Sequence, residues 1–395
     1  MPIRRNVHIM YAVSFLQGML FYASISTLYR QACGITVFQI TLIESISMVL
    51  ALLLEIPWGI VADRVGYKRV MVFCSFLLFL SKYLFYIADT FCLFLIERAV
   101  LAVVNSGLSG VDTSILYLSS GEEHAQRVFG RTGALNSAGL MLASAIFACL
   151  PAGSYRLAAL LSIFTYGAAA VLTLFLAEVR HAPEKRVSPF RQLRQALAGL
   201  RATPGLIPLL VMSALFFEVI MNITGFFNQL QYIRGGASAS FISIALIIGS
   251  VCEMSGAFSN RLTRLLGGKL FGAMLIGLCA LGCFAMAFCS NIIMSVIIIS
   301  FMYSAAALLR PLVSLMENLM VASDDRATAL SINSMLTSIL AVPLNLCLGR
   351  SVDMDLPISF AICGLLILAS GALFLRIFRK RITFLSSPDA SDSSQ

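Results

Sequence analysis

Apolar stretches of about 20 residues, the length a helix needs to cross a hydrocarbon core, recur along nearly the whole chain with short polar breaks between them. They predict twelve spans, near residues 7–30, 36–61, 70–88, 91–118, 131–151, 156–178, 206–232, 237–260, 269–289, 292–321, 328–349 and 357–378. The longest break, 179–205 (VRHAPEKRVSPFRQLRQALAGLRATPG), divides six spans from six, and its 190–200 piece is spaced as an amphipathic helix at the membrane surface. Residues 381–395 end in small, polar and acidic side chains that bury nothing, which predicts a disordered tail. The expected organisation is a six-helix bundle over 1–178, a cytoplasmic linker over 179–205, a second six-helix bundle over 206–380, and the tail.

Composition narrows the class. Of 395 residues, 59% are apolar and 12% charged, half the charge of an ordinary soluble domain, at about 25%. The net charge of +9 does not call for nucleic acid. With the N-terminus in the cytoplasm, 21 of the 28 Lys and Arg fall in cytoplasmic segments, and this bias places both termini inside a multi-pass protein of the cell (inner or plasma) membrane. The first span follows Arg4 and Arg5 without a small-residue cleavage site and reads as uncleaved.

Enzyme chemistry finds no anchor. The ten cysteines form no Cys-x-x-Cys, His8, His124 and His181 lie far apart, and no phosphate loop or Gly-x-Ser-x-Gly elbow occurs. The expectation is no metal, no cofactor and no catalytic residue.

The two halves echo each other. After span two the chain reads Gly59-Ile-Val-Ala-Asp63-Arg64-Val-Gly66-Tyr67-Lys68-Arg69. After span eight it reads Gly256-Ala-Phe-Ser-Asn260-Arg261, then Gly267-Gly268-Lys269. Glu55 and Glu253 stand just before the two echoes, the weak similarity expected of repeated transporter halves. The first motif resembles the Gly-x-x-x-Asp-Arg-x-Gly-Arg-Lys-Arg loop of the major facilitator superfamily, with Tyr67 in place of an Arg. The stretch from Glu55 to Arg64 (EIPWGIVADR) resembles the drug-exporter, drug:proton antiporter, branch. The resemblance implies an all-α membrane protein of twelve transmembrane helices in two pseudo-symmetric bundles, with Glu55, Gly59, Asp63, Arg64, Gly66, Lys68, Arg69, Glu253, Gly256, Asn260 and Arg261 as a cytoplasmic gate. Two features differ from the family's antiporters: span five carries Gly133-Ala-Leu-Asn136-Ser-Ala-Gly139 instead of a Gly-Pro run, and Arg98 in span four lacks the usual following Gln-Gly.

Ionisable groups at membrane depth cost roughly 2.5–3.5 kcal/mol each on insertion scales, so they normally face a cavity or one another. In span four Arg98, Asn105 and Asp112 recur every seven residues, a single slowly drifting stripe. Span seven carries Glu218, Asn222, Gly225 and Gln229 on one face, and span ten Tyr303, Arg310, Ser314 and Glu317. With Gln17 and Tyr22 of span one and Glu44 of span two, these residues are the expected substrate and proton pathway. Lys82 reads as packing, and Glu97 as a structural partner of Arg98. The expected function is alternating-access secondary transport: proton-coupled efflux of lipophilic or cationic small molecules, as in multidrug resistance, or alternatively proton-coupled uptake of a small organic solute. Expected partners are the solute, protons and the lipid bilayer, with the proton gradient as energy source and a monomeric chain.

Overall fold

The computed structural model describes residues 2–151, 153–179, 205–320 and 326–381. The linker helix expected at 190–200 and the tail after 381 lie outside the described residues, as does the side chain of Asp63. Contacts divide the chain into two compact units, Met1–Arg186 with Ser238–Ile247, and Val187–Ala237 with Ile248–Gln395.

The first unit is built from α1 (Pro2–Gly18), a 3₁₀ turn at Ala23–Ile25, α2 (Ser26–Ala32), α3 (Val37–Val65), α4 (Tyr67–Ile87), α5 (Phe91–Leu108), α6 (Val111–Ser120), α7 (Glu122–Ala148) and α8 (Tyr155–Thr173). The rest of the chain forms α9 (Leu206–Asn222), a π-turn at Ile223–Phe227, α10 (Asn228–Arg234), α11 (Ala239–Glu253), a 3₁₀ turn at Met254–Phe258, α12 (Ser259–Leu266), α13 (Gly268–Phe288), α14 (Ile292–Met320), α15 (Arg326–Met354) and α16 (Leu356–Arg381). Helix α11 is shared: its first half groups with the first unit. No strand occurs among the described residues. Ten helical segments there are long and apolar enough to cross a membrane, and α7 and α15, at the positions of expected spans five and eleven, are not among them. Polar residues thread both, among them Arg127, Arg131 and Asn136 in α7 and Asn345 in α15.

Four expected spans are interrupted. Span one breaks after Gly18, because α1 and α7 meet backbone to backbone: a Cβ on Gly18 would collide with the Asn136 carbonyl, and one on Gly139 with the Phe15 carbonyl. Close approach through small residues is a standard way for membrane helices to pack. Ser14 Oγ donates to the Thr132 carbonyl at 3.0 Å, and Asn136 Nδ2 to the Ser14 carbonyl at 3.2 Å. The altered span-five sequence thus serves as the seat for α1. Backbone polar groups freed by the break are met by α8, with Phe21 N donating to Ser162 Oγ and Thr165 Oγ1 to the Met19 carbonyl, as a chain interrupted at membrane depth requires. Span four breaks at Ser109–Gly110, where Gly110 has φ 79°. Span seven carries the π-turn and span eight the 3₁₀ turn.

The repeat seen in sequence has a structural form. In the first unit α1 packs on α7 and α8, α3 on α5, and α4 on α8. In the second α9 packs on α15 and α16, the Met254–Phe258 turn on α14, and α13 on α16. Span one ends in a glycine cap at Gly34 (φ 81°), with Ile35 N donating to the Arg30 carbonyl. Span seven ends the same way at Gly236 (φ 85°), with Ala237 N donating to the Tyr232 carbonyl.

Candidate functional site

The site in the first unit begins with a local event, the break in span one. It lets α2 restart as a short separate helix and carries Arg30 into the interior, where it is fully buried. Its guanidinium lies 5.7 Å from the ring centres of both Phe85 (α4) and Phe94 (α5). Such a charge needs partners in a low dielectric, since the effective penalty is several kcal/mol per ion.

Helices α3 and α5 supply them. Ser47 Oγ donates to the Arg98 carbonyl at 2.9 Å and Ser106 Oγ to the Ala51 carbonyl at 2.8 Å, which fixes the register of the two helices. Glu44 on α3 is thereby set against Arg98 on α5. Glu44 Oε1 lies 2.8 Å from Arg98 Nη2 and 3.3 Å from Arg30 Nη1. Glu97 Oε2 lies 3.5 Å from Arg98 Nε and 3.8 Å from Arg30 Nη2. Two guanidiniums and two carboxylates therefore alternate in a closed ring. Its Glu44 side is tight and its Glu97 side is loose: Glu97 Oε2, Arg98 Nε, and Arg30 Nε and Nη2 are buried without a hydrogen-bond partner. The Glu44 side chain is 20% exposed and that of Glu97 only 1%, so one acid of the pair is accessible and the other enclosed.

Beside the ring, Lys82 of α4 is 4% exposed. Its Nζ sits 4.6 Å from the ring centre of Tyr166 and 5.7 Å from that of Tyr22. Tyr22 stacks on Phe85 at 3.9 Å and 8°, and Tyr166 Oη donates to the Gln17 carbonyl at 2.5 Å, at the end of α1.

Of the expected pathway residues, the structure thus gathers Gln17, Tyr22, Glu44 and Arg98 in one place. Asn105 is exposed on α5 and Asp112 stands in the first turn of α6, accepting from Thr113 N at 2.7 Å. The expectation of one continuous stripe through Arg98, Asn105 and Asp112 is corrected: the Ser109–Gly110 break separates Asp112 from the α5 helix. In the second unit Asn222 Nδ2 donates to Asn345 Oδ1 at 2.6 Å and to the Glu218 carbonyl at 2.9 Å. Tyr303 Oη donates to the Thr224 carbonyl at 3.0 Å, inside the π-turn. That turn shifts the register between Asn222 and Gln229, so the regular face expected along span seven is interrupted as well. Arg310 lies over the Phe217 ring at 4.7 Å and forms no ion pair with Glu317, which is half-buried.

Among the gate residues, Glu55, Arg64, Arg69, Glu253, Asn260 and Arg261 are exposed, and Lys68 and Gly256 half-buried. Gly66 (φ 100°) precedes α4, whose first turn is met by Glu178: its Oε1 accepts from Lys68 N at 3.1 Å. A carboxylate at a helix N-terminus is favourable there, and Glu178 was not among the residues expected at this place.

Sequence reasoning missed Arg30, Lys82, Tyr166 and Asn345 as site residues, and gave Glu97 too small a part. Arg30 had a signal, a basic residue four positions before a Cys-Gly helix stop, and the same position near Gly236 is Tyr232. No group of three or more His, Cys, Asp or Glu able to hold a metal occurs among the described residues.

Comparison with known proteins agrees with this architecture. No curated protein matches the chain. Among solved structures, the nucleoside transporter NupG superposes with a TM-score of 0.76 at 16% identity, covering 96% of this chain and 100% of that one. The peptide transporter POT, in complex with sulfate, gives 0.72 at 14%, covering 97% and 96%. A D-xylose–proton symporter gives 0.70 at 12%, covering 98% of each. These likenesses establish the fold. A family model described as Major Facilitator Superfamily matches residues 7–345, and with the paired helical halves and intramembrane charges above, this multi-pass membrane chain belongs to that superfamily of transporters.

Proposed function

We propose that this transporter is a proton-coupled carrier of small organic solutes, working by alternating access, with Glu44 as the acid that takes the proton. The observation that carries this reading is the position of Glu44 in the ring: it is the accessible acid of the pair, and it holds Arg98 at 2.8 Å and Arg30 at 3.3 Å. A proton on Glu44 removes the charge that occupies both guanidiniums and frees their N–H groups for a polar solute. Proton and solute then favour the same state, which is the requirement for symport. A cationic compound is disfavoured, because the cluster already holds Arg30, Arg98 and Lys82 against Glu44 and Glu97.

The second reading, proton-driven efflux of a lipophilic or cationic compound, rests on the Glu55–Arg64 stretch that resembles drug exporters. Purified protein in liposomes with an imposed pH gradient and an internal pH dye separates the two. Sugars, nucleosides, dipeptides and organic acids form one set of additions and lipophilic cations the other. Co-directional movement of solute and protons, with proton movement lost in Glu44→Gln, is the expected result. Proton movement opposite to that of a cation would replace this reading with efflux. The membrane is the cell membrane and both termini are cytoplasmic in this reading, by the distribution of Lys and Arg.

A further inference from the structure

The ring is balanced by itself, two guanidiniums against two carboxylates. Lys82 is the group left over. It is almost fully buried, forms no ion pair or hydrogen bond among the described residues, and rests its ammonium on the faces of Tyr166 and Tyr22. The charged groups acting on it are Glu97, Arg98 and Arg30, so two of its three charged neighbours repel it, and the one acid is already engaged by both guanidiniums. Cation–π contact compensates only part of the desolvation of an ammonium. Close by, Arg30 Nε and Nη2 and Arg98 Nε are buried without a hydrogen-bond partner, as is Glu97 Oε2, which lies 3.5 Å from Arg98 Nε and 3.8 Å from Arg30 Nη2. An uncompensated cation, unsatisfied donors and two aromatic faces in one buried place describe a site that lacks an anion.

We propose that Lys82 is the anion-recognising residue of this carrier, and that the transported solute is a small organic molecule bearing one oxyanion group, with a planar or apolar body laid against Tyr22 and Tyr166. The proposal rests on the carrier reading above and names its substrate class. Tyr166 is held for this task by its hydroxyl, which donates to the Gln17 carbonyl, and Tyr22 by its stack on Phe85. One bound oxyanion neutralises the surplus charge and accepts from Lys82 Nζ, with Arg30 Nε, which forms no ion pair or hydrogen bond among the described residues, as a further donor.

The test is thermal stabilisation of the purified full-length protein by benzoate, phenyl phosphate and benzenesulfonate at millimolar concentration, with benzamide as the neutral counterpart. The wild type is expected to be stabilised by at least one of the anions and not by benzamide. Lys82→Met should weaken the apparent affinity at least about tenfold, the scale of one lost charge-assisted contact, and Lys82→Arg should keep the preference for the anion over the amide. Because Lys82→Met itself removes a strained charge, its melting temperature without ligand should equal or exceed that of the wild type. Equal stabilisation by benzamide, unchanged anion binding in Lys82→Met, or no response to any of the three anions would overturn the proposal. Those results leave the carrier reading standing if Glu44→Gln still abolishes proton movement in liposomes, and loss of the Glu44 effect alone would fell the carrier reading instead.

Discussion

The two halves of this transporter repeat the same helix pairings, yet they fill their interiors with different chemistry. In the first half ionic groups join neutral ones such as Asn6 and Thr41: Arg30, Glu44, Glu97 and Arg98 form a ring, with Lys82 beside it. In the second the buried polar groups among the described residues are neutral amides and hydroxyls. Gln231 Nε2 donates to Ser295 Oγ and to the Cys289 carbonyl, both at 3.0 Å, and Asn222 donates to Asn345 at 2.6 Å. Matched by the glycine caps, Arg30 has Tyr232 as its counterpart; matched by Gly66 and Gly267, which open α4 and α13, Lys82 has Cys283. One scaffold was therefore tuned twice. Neutral hydrogen bonds hold helices together at low cost, whereas a ring of charges is costly to bury and is worth keeping where charge must change during the cycle.

The comparison breaks most visibly at the ring. Arg30→Met leaves Glu97 buried with half its partners, and removing one member of a buried ion pair costs about 3–5 kcal/mol. The expected outcome is a large loss of folded, monodisperse protein on size exclusion, with much of it regained in the Arg30→Met, Glu97→Met double variant, where the ring keeps one guanidinium against one carboxylate. If the double variant is no better than the single, the ring is not a coupled unit. Next in size is helix contact. Gly139→Ala drives a methyl group into the Phe15 carbonyl, and overpacking of this kind costs about 1–3 kcal/mol, read as a lower melting temperature. Gly277→Ala on α13, with open space around its Cβ position, is the control in the other half and should be neutral or stabilising by up to about 1 kcal/mol.

The neutral half is expected to respond less. Gln231→Leu strands the carbonyl of Cys289 and removes a donor to Ser295 Oγ, which keeps its bond to the Asn291 carbonyl, and should cost about 1–3 kcal/mol in the same melt, without altering how transport depends on the imposed pH gradient. Glu44→Gln should abolish proton movement, and it should lower the melt as well, since it removes the carboxylate that engages both guanidiniums. A Gln231 variant that changed proton coupling would erase the functional difference between the halves.

Much of the architecture was legible in the chain itself, because a bilayer leaves few choices: apolar runs of about 20 residues must be helices, and the Gly66–Arg69 loop with its echo at Gly267–Lys269 marks a repeated bundle. The two polar residues Glu44 and Arg98 were legible for the same reason, since a charge in an apolar run calls for a partner. The pairing of Glu97 with Arg98 was legible too, but not the second guanidinium, Arg30, that both acids share. Span periodicity treats a helix as unbroken, and it ran through Gly18, Ser109–Gly110 and Ile223–Phe227, where the chain departs from the α-helix. At Gly18 the deciding contact comes from another helix, since the Asn136 carbonyl stands where a Cβ would be, a fact no local window contains.

By itself the sequence determined the class of protein and most of the residues that carry charge into the membrane, among them Glu44, Glu97 and Arg98, because these depend on composition and order along the chain. Only the tertiary structure decided that Arg30 turns inward, that Glu97 is shared between two arginines, and that Lys82 is left without a carboxylate. Those are questions of which helices meet and at what register, and the energy of a buried charge is set by the side chains that other helices place around it.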